Sequence, residues 1–133
     1  MSLQQGFLVG LFITTATGCA TVGRPPACVS AEQFRQCKEC TASGMLEMSS
    51  DGHGFIGRLT LANGDCLNVS LSPPRSHALL GRPAQQVTVS GQVLPYPDIS
   101  LSSQGSEYIV LSYSVKGRKV GQGRCGQYFL FVN

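Results

Sequence analysis

From residue 45 onward apolar and polar positions alternate with a period of two, the pattern of strands with one buried face. Phe55, Gly57, Leu59 and Leu61 interleave with Ile56, Arg58 and Thr60. Ala62-Asn63-Gly64-Asp65 follows, and Asn-Gly predicts a hairpin because both residues accept positive φ. Leu67, Val69 and Leu71 then interleave with Asn68 and Ser70, and Pro73-Pro74 ends that strand. Val87, Val89 and Val93 alternate with Thr88, Ser90 and Gln92, with Gly91 marking a bulge or bend. After a polar, Ser-rich loop over 98–106, a fourth strand is expected at 108–115 and a turn at 116–119. Residues 127–132 are apolar at nearly every position, which predicts a fifth strand that is central or buried on both faces. Ahead of the strands the period differs. Ser30 and Gln33 fit a capping box, so 31–42 reads as a helix ended by Gly44. Phe34, Cys37 and Cys40 fall on one stripe of that helix and predict packing on the sheet.

Five short strands with Gly-marked bends avoid open edges most simply by closing. The expected fold is mainly β: a small five-stranded antiparallel barrel with one N-terminal flanking helix. The run Leu59-Thr60-Leu61-Ala62-Asn63-Gly64-Asp65 into Val69, then Val87-Thr88-Val89-Ser90-Gly91-Gln92-Val93, resembles strands of OB-fold domains. That resemblance implies an OB-like barrel. The helix read here precedes the strands, whereas the OB helix lies between the third and fourth.

The first residues carry a different signal. Residues 6–13 are a short apolar block, followed by Thr14, Thr15, Ala16, Thr17, Gly18 and Cys19. An apolar block ending in small residues is the pattern of a secretory leader, whose peptidase needs an extended backbone in a narrow cleft. Ala16-Thr17-Gly18-Cys19 resembles the lipobox of bacterial lipoproteins. The resemblance implies cleavage before Cys19 and acylation of its sulfur. Ala20, rather than Asp, implies the outer membrane, facing the periplasm. The expected organisation is a leader over 1–18, a lipidated Cys19 and tether over 19–29, and a helix-plus-barrel domain over 30–133. The tether contains Gly23 and the stiffening pair Pro25-Pro26.

Length and composition narrow the reading. At 133 residues the chain has room for one hydrophobic core. Hydrophobic residues are 42% and charged residues 13%, unlike a disordered chain. A net charge of +3 does not announce a nucleic-acid binder, and nucleic acid is not an expected partner. An exported location is oxidising and permits disulfides. With Cys19 reserved for lipid, Cys28, Cys37, Cys40, Cys66 and Cys125 remain, an odd number whose pairing sequence leaves open. Cys37-x2-Cys40 lacks the second close pair of a zinc site. As a redox pair it lies too far from the start of the expected helix, where the dipole would lower a thiol pKa. Structural bridges are therefore expected, with no metal or cofactor.

Catalytic chemistry is not legible. Asp51 and His53 fall in one loop composition and His77 in another, with no nucleophile tied to either. Asn68-Val69-Ser70 matches a glycosylation sequon, read as coincidence in a bacterial lipoprotein. The one asymmetry is charge. Residues 108–133 hold Lys116, Arg118, Lys119 and Arg124 and no acid, with Tyr113 and Tyr128 nearby. Such a tip suits an acidic protein surface, an anionic polymer or phospholipid headgroups. The expected function is a non-enzymatic envelope lipoprotein that binds a protein partner and is held to the membrane by its lipid. The alternatives are an anionic envelope polymer as ligand, or an inhibitor or immunity-type role.

Overall fold

The computed structural model describes residue 19 and residues 23–50, 54–97 and 112–133. The leader over 1–18, Asp51, His53 and residues 98–111 lie outside the described residues. The elements run α1 (Ala31–Gln36), β1 (Glu39–Ser50), β2 (Phe55–Thr60), β3 (Cys66–Ser70), α2 (Pro73–Leu79), β4 (Gln85–Pro95), β5 (Ser112–Val115), β6 (Arg118–Gly121) and β7 (Tyr128–Phe131). Five of the strands close on themselves in the order β1-β4-β7-β3-β2, with β2 returning to β1. Within this ring β3 and β7 run parallel, so the barrel is mixed rather than wholly antiparallel. A parallel β3–β7 closure, with a helix between β3 and β4, is the arrangement of an OB-like barrel.

Two elements correct the sequence reading. The helix expected over 31–42 stops at Gln36, and the rest of that stretch belongs to β1. Ser30 does cap α1, accepting from the Gln33 N–H at 3.1 Å, while Gln33 Oε1 accepts from the Val29 N–H at 2.9 Å. Beyond it, Cys40, Ala42, Gly44, Leu46 and Met48 alternate with exposed or half-buried neighbours. That period of two matches the β4 ladder, and the pairing outweighs helix propensity. The second correction is α2. Pro73 and Pro74 occupy the first positions of a helix, where a missing N–H costs nothing and the fixed φ suits the first turn.

β1 is the strand that closes the ring. Residues 39–46 pair with β4, and residues 45–50 pair with β2. Gly44 sits where the partner changes, and a Cβ there would run into the backbone carbonyl of Thr60. The barrel interior is filled by Leu46, Met48, Leu59, Leu67, Val69, Val89, Val93 and Leu130, with Phe34 of α1 packed among them. A satellite core lies outside the ring. Val120, Phe129 and Phe131 pack with Ile56, Leu94, Tyr96 and Val115 under the β5–β6 hairpin. β7 is thus buried on both faces, as its unbroken apolar sequence predicts. The Asn63-Gly64 hairpin also forms, with Gly64 at φ 95°.

All six cysteines are bridged: Cys19–Cys37, Cys28–Cys40 and Cys66–Cys125. Cys28, Cys37, Cys40, Cys66 and Cys125, an odd set expected to leave one or three free thiols, are all bridged, because Cys19 supplies the sixth sulfur. Residues 26–28, expected within a free tether, are docked on the barrel. Ala27 bridges Thr41 in parallel, and Thr41 donates to the Pro26 carbonyl at 2.8 Å.

Candidate functional site

The outer faces of β1, β2 and β3 form one side of a groove of about 540 Å³, and residues 122–125 form the opposing wall. Glu47 and Arg58 stand opposite each other across β1 and β2 and both line it. Ile56 and the Cys66–Cys125 bridge give it an apolar floor, and Gln122 and Arg124 stand exposed on the wall. Among the described residues, the lining carries two cations, one carboxylate and no histidine.

The wall has no regular structure, so something must hold it. Cys125 is covalently tied to Cys66 on β3. Beside that bridge is Asn68, which is 1% exposed. Its amide donates to the Gly126 carbonyl at 3.2 Å and to the Tyr128 carbonyl at 2.9 Å, while its Oδ1 accepts from the Cys125 N–H at 3.0 Å. Both amide protons and the amide oxygen are used, as a buried Asn requires. Gly123 lies so close to the Asn68 amide that a Cβ there would overlap it. The Gly123 N–H also donates to Tyr96 Oη at 2.9 Å. Asn68, which the sequence offered as a chance sequon, is therefore the internal clamp of the wall.

The six residues expected to form one binding tip are not brought to a single site. Arg124 lines the groove. Tyr113 packs on Tyr96, with ring centroids 5.3 Å apart. Tyr128 packs half-buried against the barrel core. Lys119 is exposed on β6. Lys116 and Arg118 come together over Phe131, at 5.4 and 4.0 Å from its ring centroid. Arg118 Nη1 donates to the Ser70 carbonyl at 3.0 Å and to its hydroxyl at 3.3 Å. Lys116 Nζ donates to Gln92 Oε1. Burial, then the positive charge of Arg75, lowers the pKa of Arg118. Sequence reading missed Glu47, Arg58 and Asn68. The available signal was the pairing of opposite charges on the polar faces of β1 and β2, and it stayed hidden because residues 45–50, though read with a period of two, were not set as a strand against Phe55–Thr60.

Two other titratable groups have structural surroundings. His77 on α2 meets Phe55 edge-on, with centroids 4.7 Å apart. Asp65 accepts from the Ala31 N–H at 2.8 Å and from the Asn63 amide at 3.0 Å. These two hydrogen bonds, with the charge of Arg35, hold its carboxyl below the ordinary carboxylate value against an opposing desolvation.

Fold and groove together define a disulfide-braced OB-like barrel with a clamped polar groove. No family model, curated protein or solved structure matches the chain.

Proposed function

We propose that this protein is a non-enzymatic, lipid-anchored accessory module of the cell envelope that docks a protein partner in the groove on β1, β2 and β3. The observation that carries the reading is the wall. A disulfide and a buried Asn with three hydrogen bonds fix a surface loop whose own exposed side chains add nothing to the core. Rigidity without burial favours recognition, because a preorganised surface loses less entropy on binding. Among the described lining residues, Arg58 and Arg124 against one carboxylate, Glu47, suit a partner segment that brings a carboxylate. The Cys28–Cys40 and Cys66–Cys125 bridges, which do not involve Cys19, support an oxidising, exported location. The lipobox-like Ala16-Thr17-Gly18-Cys19 supports the anchor and, with Ala20, the outer membrane.

One sulfur cannot hold both a lipid and a bridge. In the acylated chain Cys19 carries the thioether and Cys37 a free thiol. The intact mass after alkylation distinguishes the two states. The reading expects a chain cut before Cys19, acylated, with one alkylatable thiol. A full-length chain with no lipid and three bridges removes the anchor from it. The docking claim is tested separately. Crosslinking in intact cells, then affinity capture, should recover an envelope protein from the parent and lose it with Arg58→Glu plus Arg124→Glu. Equal recovery from both counts against the groove.

A further inference from the structure

We propose that Arg75, Lys116 and Arg118 form a binding site for a phosphate group, at the end of the barrel where β3 runs into α2. The site is separate from the groove and does not depend on the docking reading. Its frame is a row across three strands. Phe131 on β7 stands beside Gln92 on β4 and beside Ser70 on β3. The Phe131 ring lies outside the barrel and is only 3% exposed. Lys116 and Arg118 stand over this ring, and each head is fixed by one flank of the row. Gln92 holds Lys116, and Ser70 holds Arg118 through its carbonyl and hydroxyl.

Two cations placed over one ring are ordinary cation–π packing. Three features go beyond it. A third cation, Arg75 in the first turn of α2, is close enough that its charge acts on Arg118. Among the described residues, the charged neighbour acting on Arg118 is thus another cation rather than a carboxylate. By register, Glu39 on β1 lies opposite Gln92, at the Lys116 end of the row and three strands from Ser70, which holds Arg118. Finally, the Ser70 contacts engage only Nη1 of Arg118. A guanidinium has five N–H donors, so, among the described residues, Nε and Nη2 keep an edge for an incoming anion. Gathered like charges attract a counter-charge. A single carboxylate would balance one of the three, whereas a phosphate can carry two charges and accept a bidentate guanidinium edge.

The test uses the folded, oxidised protein and inorganic phosphate, with potassium chloride at matched ionic strength as control. NMR should show saturable shifts at Ser70, Arg118 and Phe131 with phosphate. Arg75→Gln removes an exposed charge without touching the core and should weaken binding about tenfold, the typical worth of one charged hydrogen bond. Arg118→Gln should abolish it, and Arg58→Gln in the groove should leave it unchanged. Vesicles of phosphatidylcholine with phosphatidic acid identify the source. Co-sedimentation lost in Arg75→Gln marks a lipid headgroup, and phosphate shifts without co-sedimentation mark a soluble phosphate compound. Shifts that do not saturate, that chloride reproduces, or that titrate in Arg75→Gln with the parent's affinity overturn the proposal.

Discussion

Two irregular segments, residues 26–28 and residues 122–126, are held to this barrel by the same device, a disulfide beside backbone hydrogen bonds. Their surroundings differ. Cys28 and Cys40 are 2% and 0% exposed, and Pro26 is buried with them. That bridge completes the core, and the Ala27–Thr41 pairing covers an edge of β1 that β2 does not reach. The wall is the opposite case. Gln122, Arg124 and Gly126 remain exposed, and the element that holds them, Asn68, is a buried polar side chain. Burying an amide costs free energy unless every hydrogen bond is made, so this arrangement contributes little to stability for what it demands. Both bridges stabilise the fold by limiting the unfolded chain. The first segment buries Pro26 and Cys28, whereas the second also positions an exposed surface, which is why the groove is read as the working face.

Breaking each tie separately should show this contrast. The largest effect is expected from Cys66→Ser with Cys125→Ser, which opens a link spanning 59 residues. Chain entropy sets the loss at about 4 kcal/mol, readable as a lower denaturant midpoint. Hydrogen exchange should rise across residues 122–128. Cys28→Ser with Cys40→Ser opens a span of 12 and should cost about 3 kcal/mol. Exchange at the groove wall should stay slow in that variant, and partner capture should persist. Asn68→Ala comes next, at about 2 kcal/mol for the stranded Cys125 N–H and the Gly126 and Tyr128 carbonyls. In this variant partner capture should fall further than stability alone explains, because the wall loses its position.

Asp65 gives a smaller effect, seen through pH. Its folded-state pKa is lowered, so its contribution is present above the unfolded carboxylate value of about 4 and is lost as pH falls through the folded value. Asp65→Asn should flatten the acid limb of the stability profile. The smallest effect on stability is expected from Arg58→Glu plus Arg124→Glu, both exposed, whose midpoint should match the parent within about 0.5 kcal/mol.

Much of the barrel was legible. The Leu59–Leu71 region fixes a hairpin by alternation and Asn-Gly, and the unbroken apolar run into Val132 marks a strand covered on both sides. β1 was not legible, for a physical reason. Phe34, Cys37 and Cys40 recur at helical spacing, but Cys37 and Cys40 face the core for different reasons, one as the end of α1 and one as a strand residue. Gly44 read as a helix stop when it serves a close strand approach. Pro73-Pro74 ends one element and also begins another, and a single sequence shows only the first. The groove escaped because it joins Glu47 and Arg58 to a wall more than sixty residues away, through an Asn whose role appears only once Cys125 is beside it.

The sharpest check is a photo-crosslinking side chain placed at Gln122 on the wall, and in a second strain at Thr88 on the β1–β4 face, each irradiated in intact cells. If the groove is the docking face, Gln122 yields a discrete adduct with an envelope protein, Thr88 yields none, and Arg58→Glu with Arg124→Glu erases the Gln122 adduct. Adducts of equal yield from both positions, or a Gln122 adduct indifferent to the charge reversal, would mean the partner docks elsewhere and the clamped wall serves only the fold.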